Sequence, residues 1–302
     1  MAQDCSDVPE EYARLIQLFQ HTNQAFPFEG NRIAVYTEGY TKLQSLLREL
    51  QKAKQHIHIE YYIFEDDAIG RLVRDVLIEK ASQGVEVRVI YDDVGCWHVP
   101  NRFFEEMRNA GIEVRSFLKV RFPLFTSRVN YRNHRKIVVI DGRIGFVGGM
   151  NLAERYMRGF SWGIWRDTHI LIEGKAVHGL QTAFLLDWYF VDRTLITASR
   201  YFPKIESCGS SLVQVVTSEP IGPWKEIMQG LTMAINGAKK YFYMQTPYFL
   251  PTEQVLAAMQ TAALAGVDVR LMLPERADNR ITHLGSHSYL ADVMQAGVKV
   301  YF

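Results

Sequence analysis

The feature that most constrains this chain is a duplication within it. Residues 53–64 (AKQHIHIEYYIF) align with residues 238–249 (AKKYFYMQTPYF). Residues 84–89 (GVEVRV) align with 266–271 (GVDVRL), and 109–114 (NAGIEV) with 295–300 (QAGVKV). Repetition at this spacing means that one supersecondary unit is used twice. Each copy reads as strand, helix, strand, helix, strand, which predicts an α/β protein with mixed, largely parallel sheets flanked by helices. Two pseudo-symmetric halves related by a pseudo-two-fold axis, with a site between them, are the expected arrangement. Residues 1–30 read as an N-terminal helix and connector, 31–205 as the first half and 212–302 as the second. The small-residue run Ser207 to Ser211 is the best linker.

One segment follows the first copy and has no counterpart after the second. Asn133 to Asn151 reads NHRKIVVIDGRIGFVGGMN, an H-x-K-x4-D motif followed by x6-G-G-x-N. Arg135 to Ile140 is a β-branched run, which predicts a strand buried on both faces. Side chains alternate along a strand, so His134 and Lys136 project from one face. Asp141-Gly142 signals a two-residue hairpin, and Ile144 to Val147 then returns antiparallel. Gly148 and Gly149 permit close backbone approach, and Asn151 is expected to return near Lys136.

These residue types suit a phosphodiester. An imidazole at His134 can attack phosphorus and form a covalent phospho-enzyme. Lys136 and Asn151 can hold non-bridging oxygens and stabilise charge that develops in the transition state. A second histidine is needed to protonate the leaving alcohol and later to activate the acceptor. No metal or other cofactor is required, because cationic donors do that work. Asp141 completes the motif, although its place in a turn points to fixing the hairpin.

The motif resembles the signature of the phospholipase D superfamily, and the wider chain resembles its cardiolipin synthase branch. The resemblance runs from about Asn31 onward. Its markers are Ile57 to Phe64, Gly84 to Asp93, the His134 motif, Trp165 to His169, and Gln245 to Phe249. It implies a phospholipase D-like fold and phosphatidyl transfer, in which two phosphatidylglycerols give cardiolipin and glycerol through a phosphohistidine. The implied partners are phosphatidylglycerol, other phospholipids and a membrane surface, with no nucleic acid. The implied location is a bacterial cell membrane, with the catalytic part cytoplasmic or peripheral. By resemblance, Asp167 is the carboxylate that bonds His134, fixing its tautomer and raising its basicity. Matched repeat positions near strand ends make Glu60 and Gln245 candidates to line the cleft with Gly149, or equally to hydrogen-bond a neighbouring strand.

Other patterns carry less. His56, His58 and Glu60 share a strand face, but the matched Tyr241, Tyr243 and Gln245 are poor metal ligands, which argues against a metal. Lys119, Arg121, Arg128, Arg132 and Arg135 form a basic cluster around the motif. It reads equally as a phosphate-attracting patch or a solvated face. Leu180, Phe184, Leu185 and Trp188 sit at helical spacing within Ala176 to Phe190 and read as core. A net charge of +1 favours no particular polyanion. The three scattered cysteines, Cys5, Cys96 and Cys208, form no disulfide framework. No apolar run reaches the roughly 18 residues of a membrane span. The aromatic stretches Val120 to Phe125 and Gly159 to Trp165 are candidates for contact with lipid, the second equally for core or cleft.

The duplication predicts a further H-x-K-x4-D within about twenty codons past Phe302. Hydrophobic helices ahead of residue 1 are a second expectation from the resemblance, unless the enzyme is peripheral. Three functions fit: a phosphatidyltransferase making cardiolipin, a phosphodiesterase acting on phospholipid or nucleic acid, and a non-catalytic fragment that binds phosphate or lipid.

Overall fold

The computed structural model describes residues 10–119, 132–161, 163–219, 222–276 and 278–302. The chain divides into two units. One is Pro27–Val215, and the other joins the N-terminal segment through Phe26 to Val216–Phe302. The N-terminal helix α1 (Glu10–Asn23) therefore belongs with the second half of the sequence, not with a connector to the first.

The unit Pro27–Val215 contains β1 (Pro27–Tyr36), α2 (Gly39–Lys52), β2 (His56–Tyr61), α3 (Ala68–Ser82) and β3 (Glu86–Asp92). It continues through α4 (Asn101–Asn109), β4 (Glu113–Phe117), β5 (Lys136–Ile140), β6 (Ile144–Gly148) and the short α5 (Arg155–Arg158). It ends with β7 (His169–Glu173), α6 (Val177–Asp192) and β8 (Ser211–Gln214). The strands form one eight-stranded sheet in the order β4-β3-β2-β5-β6-β7-β1-β8. The sheet is mixed, as expected, but parallel pairing is confined to β4-β3-β2. From β5 onward each neighbour is antiparallel.

Alternation sorts the core onto the two faces of this sheet. Ile57, Ile59, Val138 and Ile140 pack on one face with Leu46 and Leu50 of α2, Val73 and Leu77 of α3, and Phe103 and Phe104 of α4. Ile137, Val139 and Ile172 pack on the other face with Val177 and Leu180 of α6. Phe184, Leu185 and Trp188 continue that layer against Ile90, so the helical stripe read from sequence is core. All residues of β2 and β5 are buried. Each fully buried Val, Leu, Ile or Phe contributes roughly 1.5–3 kcal/mol, so this strand pair is a rigid base for what it carries. Ser207 to Ser211 is no free linker. Cys208 and Gly209 donate backbone N–H to Gly30 O at 2.9 and 3.2 Å, and Ser211 opens β8.

The other unit contains α1, α7 (Glu226–Gly237), β9 (Tyr241–Gln245), α8 (Glu253–Leu264), β10 (Asp268–Met272), α9 (Arg280–Ser288), α10 (Leu290–Gln295) and β11 (Lys299–Tyr301). Its parallel sheet runs β11-β10-β9. The order and register repeat those of β4-β3-β2. His56 lies opposite Glu86 as Tyr241 lies opposite Asp268, and Arg88 opposite Glu113 as Arg270 opposite Lys299. The duplication read from sequence is thus a duplication of strand pairing. α1 is held to this unit by Asn23, whose Oδ1 accepts the Thr217 N–H at 2.9 Å.

Candidate active site

Antiparallel pairing with β2 brings the N-terminal end of β5 beside the C-terminal end of β2. Tyr61 lies opposite Lys136, and the register continues through Gly148 and His169 to Tyr36. One row across five strands therefore ends at one sheet edge, the place where α/β sheets bind ligands.

His134 stands in the loop just before β5, with its ring exposed and tilted against Tyr62 at 4.7 Å between centroids. Lys136 is buried, and its Nζ donates to the His134 carbonyl oxygen at 2.6 Å. The same ammonium lies 5.4 Å from the Tyr62 ring centroid, in cation–π range. Partial burial of the imidazole and the adjacent Lys136 charge push the His134 pKa down to about 4. Burial lowers Lys136 to about 8, while Asp167 and Asp92 oppose the shift. At neutral pH the pair is a neutral nucleophile beside a largely protonated cation. Lys136 has three N–H donors and uses one on the carbonyl, so two remain for an anion.

The remaining expected residues fall into three groups. Asn151 is buried with its amide engaged: Oδ1 accepts the Ile63 N–H at 3.1 Å and Nδ2 donates to the Tyr156 hydroxyl at 2.5 Å. One amide proton is left for a ligand. Tyr156 is itself packed by Trp165 at 4.9 Å. Asp167 is not bonded to His134. Its Oδ1 accepts its own following N–H, from Thr168, at 2.7 Å, and its charge falls on Lys136. Gly149 explains that placement. A Cβ there would collide with the Asp167 carboxylate, and the Gly149 N–H is already donated to Thr168 O at 2.8 Å. Gly149 thus makes room for a neighbour and offers no N–H to a substrate.

Asp141 lies at the opposite end of β5 from His134. Its carboxylate accepts the backbone N–H groups of Lys54, Gln55 and His56 at 2.9, 2.8 and 2.9 Å. Asp141 and Gly142 both take positive φ, 51° and 64°, and the Arg143 N–H closes the turn on Ile140 O at 3.0 Å. Asp141 is a hairpin clamp and not a group for the reacting atoms. Strand pairing resumes at Ile140 opposite Ile144, so the loop is one residue longer than the two-residue turn expected.

Glu60 is also corrected. It belongs to the β2 face opposite Tyr61 and Lys136, is buried, and accepts from Asn133 Nδ2. It does not line a cleft. Gln245 is exposed on β9, in the other unit. His56 and His58 share Gln181 of α6: His56 Nε2 meets Oε1 at 3.0 Å and His58 Nδ1 meets Nε2 at 2.8 Å. Arg132 donates to Leu118 O at 3.1 Å and Arg135 pairs with Asp187, so these two turn inward. Arg121, Arg128 and the stretch Val120 to Phe125 lie outside the described residues, as do Cys5 and Trp162. In the other aromatic stretch Trp165 is packed, while Ile164 is 88% exposed.

Sequence reasoning missed Tyr62 and Asp92. Both follow from the strand-end rule that singled out Glu60, since they stand at the C-terminal ends of β2 and β3. Asp92 is buried and accepts the N–H groups of Val94 and Gly95, both at 2.9 Å. Also missed was a buried basic pair behind Lys136. Lys42 of α2 donates to the Tyr61 hydroxyl at 2.9 Å and has no carboxylate partner among the described residues, and burial lowers its pKa to about 7. His169 is buried with neither ring nitrogen bonded among the described residues, and Lys42 and Lys136 both act on it.

Residues 46–188 and 231–302 match the protein family described as cardiolipin synthase, PLD-like domain. The chain is 44% identical over 275 residues to the cardiolipin synthase of Geobacillus kaustophilus (strain HTA426), covering 90% of this chain and 55% of that protein. It is 42% identical over 291 residues to the major cardiolipin synthase ClsA of Bacillus subtilis (strain 168), covering 95% and 60%. Among solved structures, the phosphatidylserine synthase of Haemophilus influenzae Rd KW20 aligns with a TM-score of 0.63 at 14% identity, over 93% of this chain and 73% of that one. A polyphosphate kinase from Porphyromonas gingivalis aligns with a TM-score of 0.54 at 13% identity, over 94% and 42%. Likeness at these identities is likeness of fold. A repeated α/β unit with a His–Lys pair at the strand end defines a phospholipase D-like domain. The chain belongs to the cardiolipin synthase family of such domains. It spans a little over half the length of the curated relatives it matches.

Proposed function

We propose that this chain carries a phosphatidyl-transfer site in which His134 is the nucleophile, with phosphatidylglycerol as donor and acceptor. The observation that carries the reading is the neutral imidazole of His134 beside the buried ammonium of Lys136. His134 attacks phosphorus, the bond to the glycerol oxygen breaks, and that oxygen leaves as glycerol once it gains a proton. The hydroxyl of a second phosphatidylglycerol then attacks the phosphohistidine, loses its proton, forms cardiolipin and frees His134. Lys136, helped by the remaining amide proton of Asn151, holds the non-bridging oxygens through both steps. The proton carrier is the second histidine that the sequence duplication predicts. Asp167 is a positioning residue for Lys136, and Asp141 for the hairpin.

The substrate is a bilayer lipid, so the chain acts at a membrane surface in this reading. No described helix is long and apolar enough to cross a membrane. The exposed Ile164 beside Phe160 is the apolar feature nearest in sequence to Asp167, and it fits shallow contact with lipid.

The test is incubation of purified protein that carries the predicted second H-x-K-x4-D with phosphatidylglycerol vesicles, with products read by mass spectrometry; residues 1–302 alone should give little or no transfer. From the protein with both motifs, cardiolipin and glycerol in equal amounts are expected, and His134→Ala should abolish both along with an acid-labile phospho-enzyme. Phosphatidic acid in place of cardiolipin would make the enzyme a phosphodiesterase. An active His134→Ala variant would remove His134 as nucleophile.

A further inference from the structure

We propose that Glu60 and Asp187 are positioning residues that aim the His134 ring by gripping the residues on either side of it. The proposal deepens the reading of His134 as nucleophile, and the grip itself is read without an activity assay.

The need for a grip is plain from the geometry. His134 lies ahead of β5, and its side chain makes no hydrogen bond among the described residues. Among the described residues its one ring contact is with Tyr62. The direction of such a side chain is set by its backbone, and that backbone is fixed at each peptide. Asn133 Oδ1 accepts the Arg135 N–H at 3.0 Å, an Asx turn bent around His134. Lys136 holds the His134 carbonyl.

The turn in turn depends on Asn133, which is buried. Its Nδ2 donates to Glu60 Oε1 and, at 3.2 Å, to Asp187 Oδ2. Arg135 reaches the same Asp187 oxygen from the far side of His134. Glu60 comes from β2 and Asp187 from α6, both buried. The loop is therefore tied to two rigid elements as well as to its own neighbours.

Charge balance specifies the form of the acids. Two carboxyls meet one guanidinium. Burial, and then the Asp187 carboxylate, hold the Glu60 acid well above its ordinary range, which favours its protonated form. Asn133 Nδ2 donates to Oε1, while Oε2 is buried with no hydrogen-bond partner among the described residues, as suits a neutral carboxyl better than a carboxylate. A protonated Glu has the shape of Gln, and the matched position of the second repeat is Gln245. The duplicated sequence thus uses the neutral isostere at the position where this knot requires a neutral group.

The experiment uses Glu60→Gln and Glu60→Ala in the full chain, with histidines labelled at Cε1 and the His134 signal assigned by its loss in His134→Gln. In the parent and in Glu60→Gln, His134 should give one sharp signal that titrates near pH 4. In Glu60→Ala the ring should lose its fixed place against Tyr62 and beside Lys136, so that the midpoint rises by a pH unit or more or the signal splits. In vesicle assays of protein that carries the predicted second motif, Glu60→Ala should lower kcat about 100-fold at nearly constant KM, and Glu60→Gln should stay within threefold. Should Glu60→Ala not fold, Asn133→Ser decides: its hydroxyl can accept the Arg135 N–H, but the side chain is one atom too short to reach Glu60 and Asp187 as well, and it should reproduce the shifted signal. An unmoved His134 signal in the folded alanine or serine variant overturns the proposal. So does a Glu60→Gln variant as damaged as Glu60→Ala. Loss of the vesicle activity reading would leave the NMR result standing, so the two can fail separately.

Discussion

Replacing Lys42 with methionine should stabilise the unit Pro27–Val215, and by an amount that depends on pH. Burial lowers the Lys42 amine from its ordinary 10.5 to about 7. At 1.36 kcal/mol per pH unit, half-protonation at pH 7 leaves a folding penalty of about 4 kcal/mol. The sign follows from proton counts. Between about pH 7 and 10.5 the unfolded chain keeps the Lys42 proton and the folded chain does not, so stability rises with pH across that window. The penalty is full at and below the folded value and is gone above the unfolded one. Methionine removes it but leaves the buried Tyr61 hydroxyl without its partner, at a cost of about 1–3 kcal/mol that does not vary with pH. The net gain at pH 7 is about 1–3 kcal/mol, and it should shrink by about 3 kcal/mol by pH 9.5. Urea unfolding from pH 6 to 9.5 measures this. A Trp224→Phe background confines tryptophan fluorescence to this unit, because the other four tryptophans fall within Pro27–Val215. A Lys42→Met variant that is less stable than the parent by the same amount at every pH would refute the reasoning. The amine would then be charged in the folded chain, with its burial compensated.

Binding of inorganic phosphate, followed by phosphorus NMR, should weaken above about pH 8 as Lys136 loses its proton, and Lys136→Met should weaken it 10- to 100-fold at pH 7. Transfer to His134 should also need pH above about 4, where the imidazole is neutral, which gives a profile with limbs near 4 and 8. Asp167→Asn should move the alkaline limb down and leave the acid limb in place, because Asp167 supports the Lys136 charge and is not bonded to His134; a shifted acid limb would contradict that assignment. Asp141→Ala should cost about 1.5–4 kcal/mol in thermal unfolding by removing three hydrogen bonds to backbone N–H groups, while phosphate affinity of the folded protein is unchanged.

The repeated strand-helix-strand unit and the β5–β6 hairpin were legible in the sequence, through duplication and turn chemistry, whereas the other antiparallel pairings of the eight-stranded sheet were not. The aligned residues proved to be register-equivalent, and Asp141 took the turn conformation that its Gly142 neighbour announced. Partners across the fold were harder. Glu60 was rightly placed at a strand end, but the sequence does not say that its face meets α6, so a loop anchor resembled a ligand group. Asp167 was expected on His134, yet the missing Cβ at Gly149 seats it toward Lys136. The amphipathic face of α1 gave no sign that its partner stands beyond residue 215. Lys42 and His169 carry no motif, and only three-dimensional burial marks them.

The pairing of β2 with β5 has a consequence for how the protein is made. On the ribosome, Tyr61 emerges 75 residues ahead of Lys136, the residue it will face. At synthesis rates of roughly 5–20 residues per second, β2 waits about 4–15 s with an open, apolar edge. Such an edge is a template for pairing with another nascent chain. Slowing translation between codons 61 and 136 should therefore raise the aggregated fraction, and a chaperone that shields β-edges during that interval should lower it.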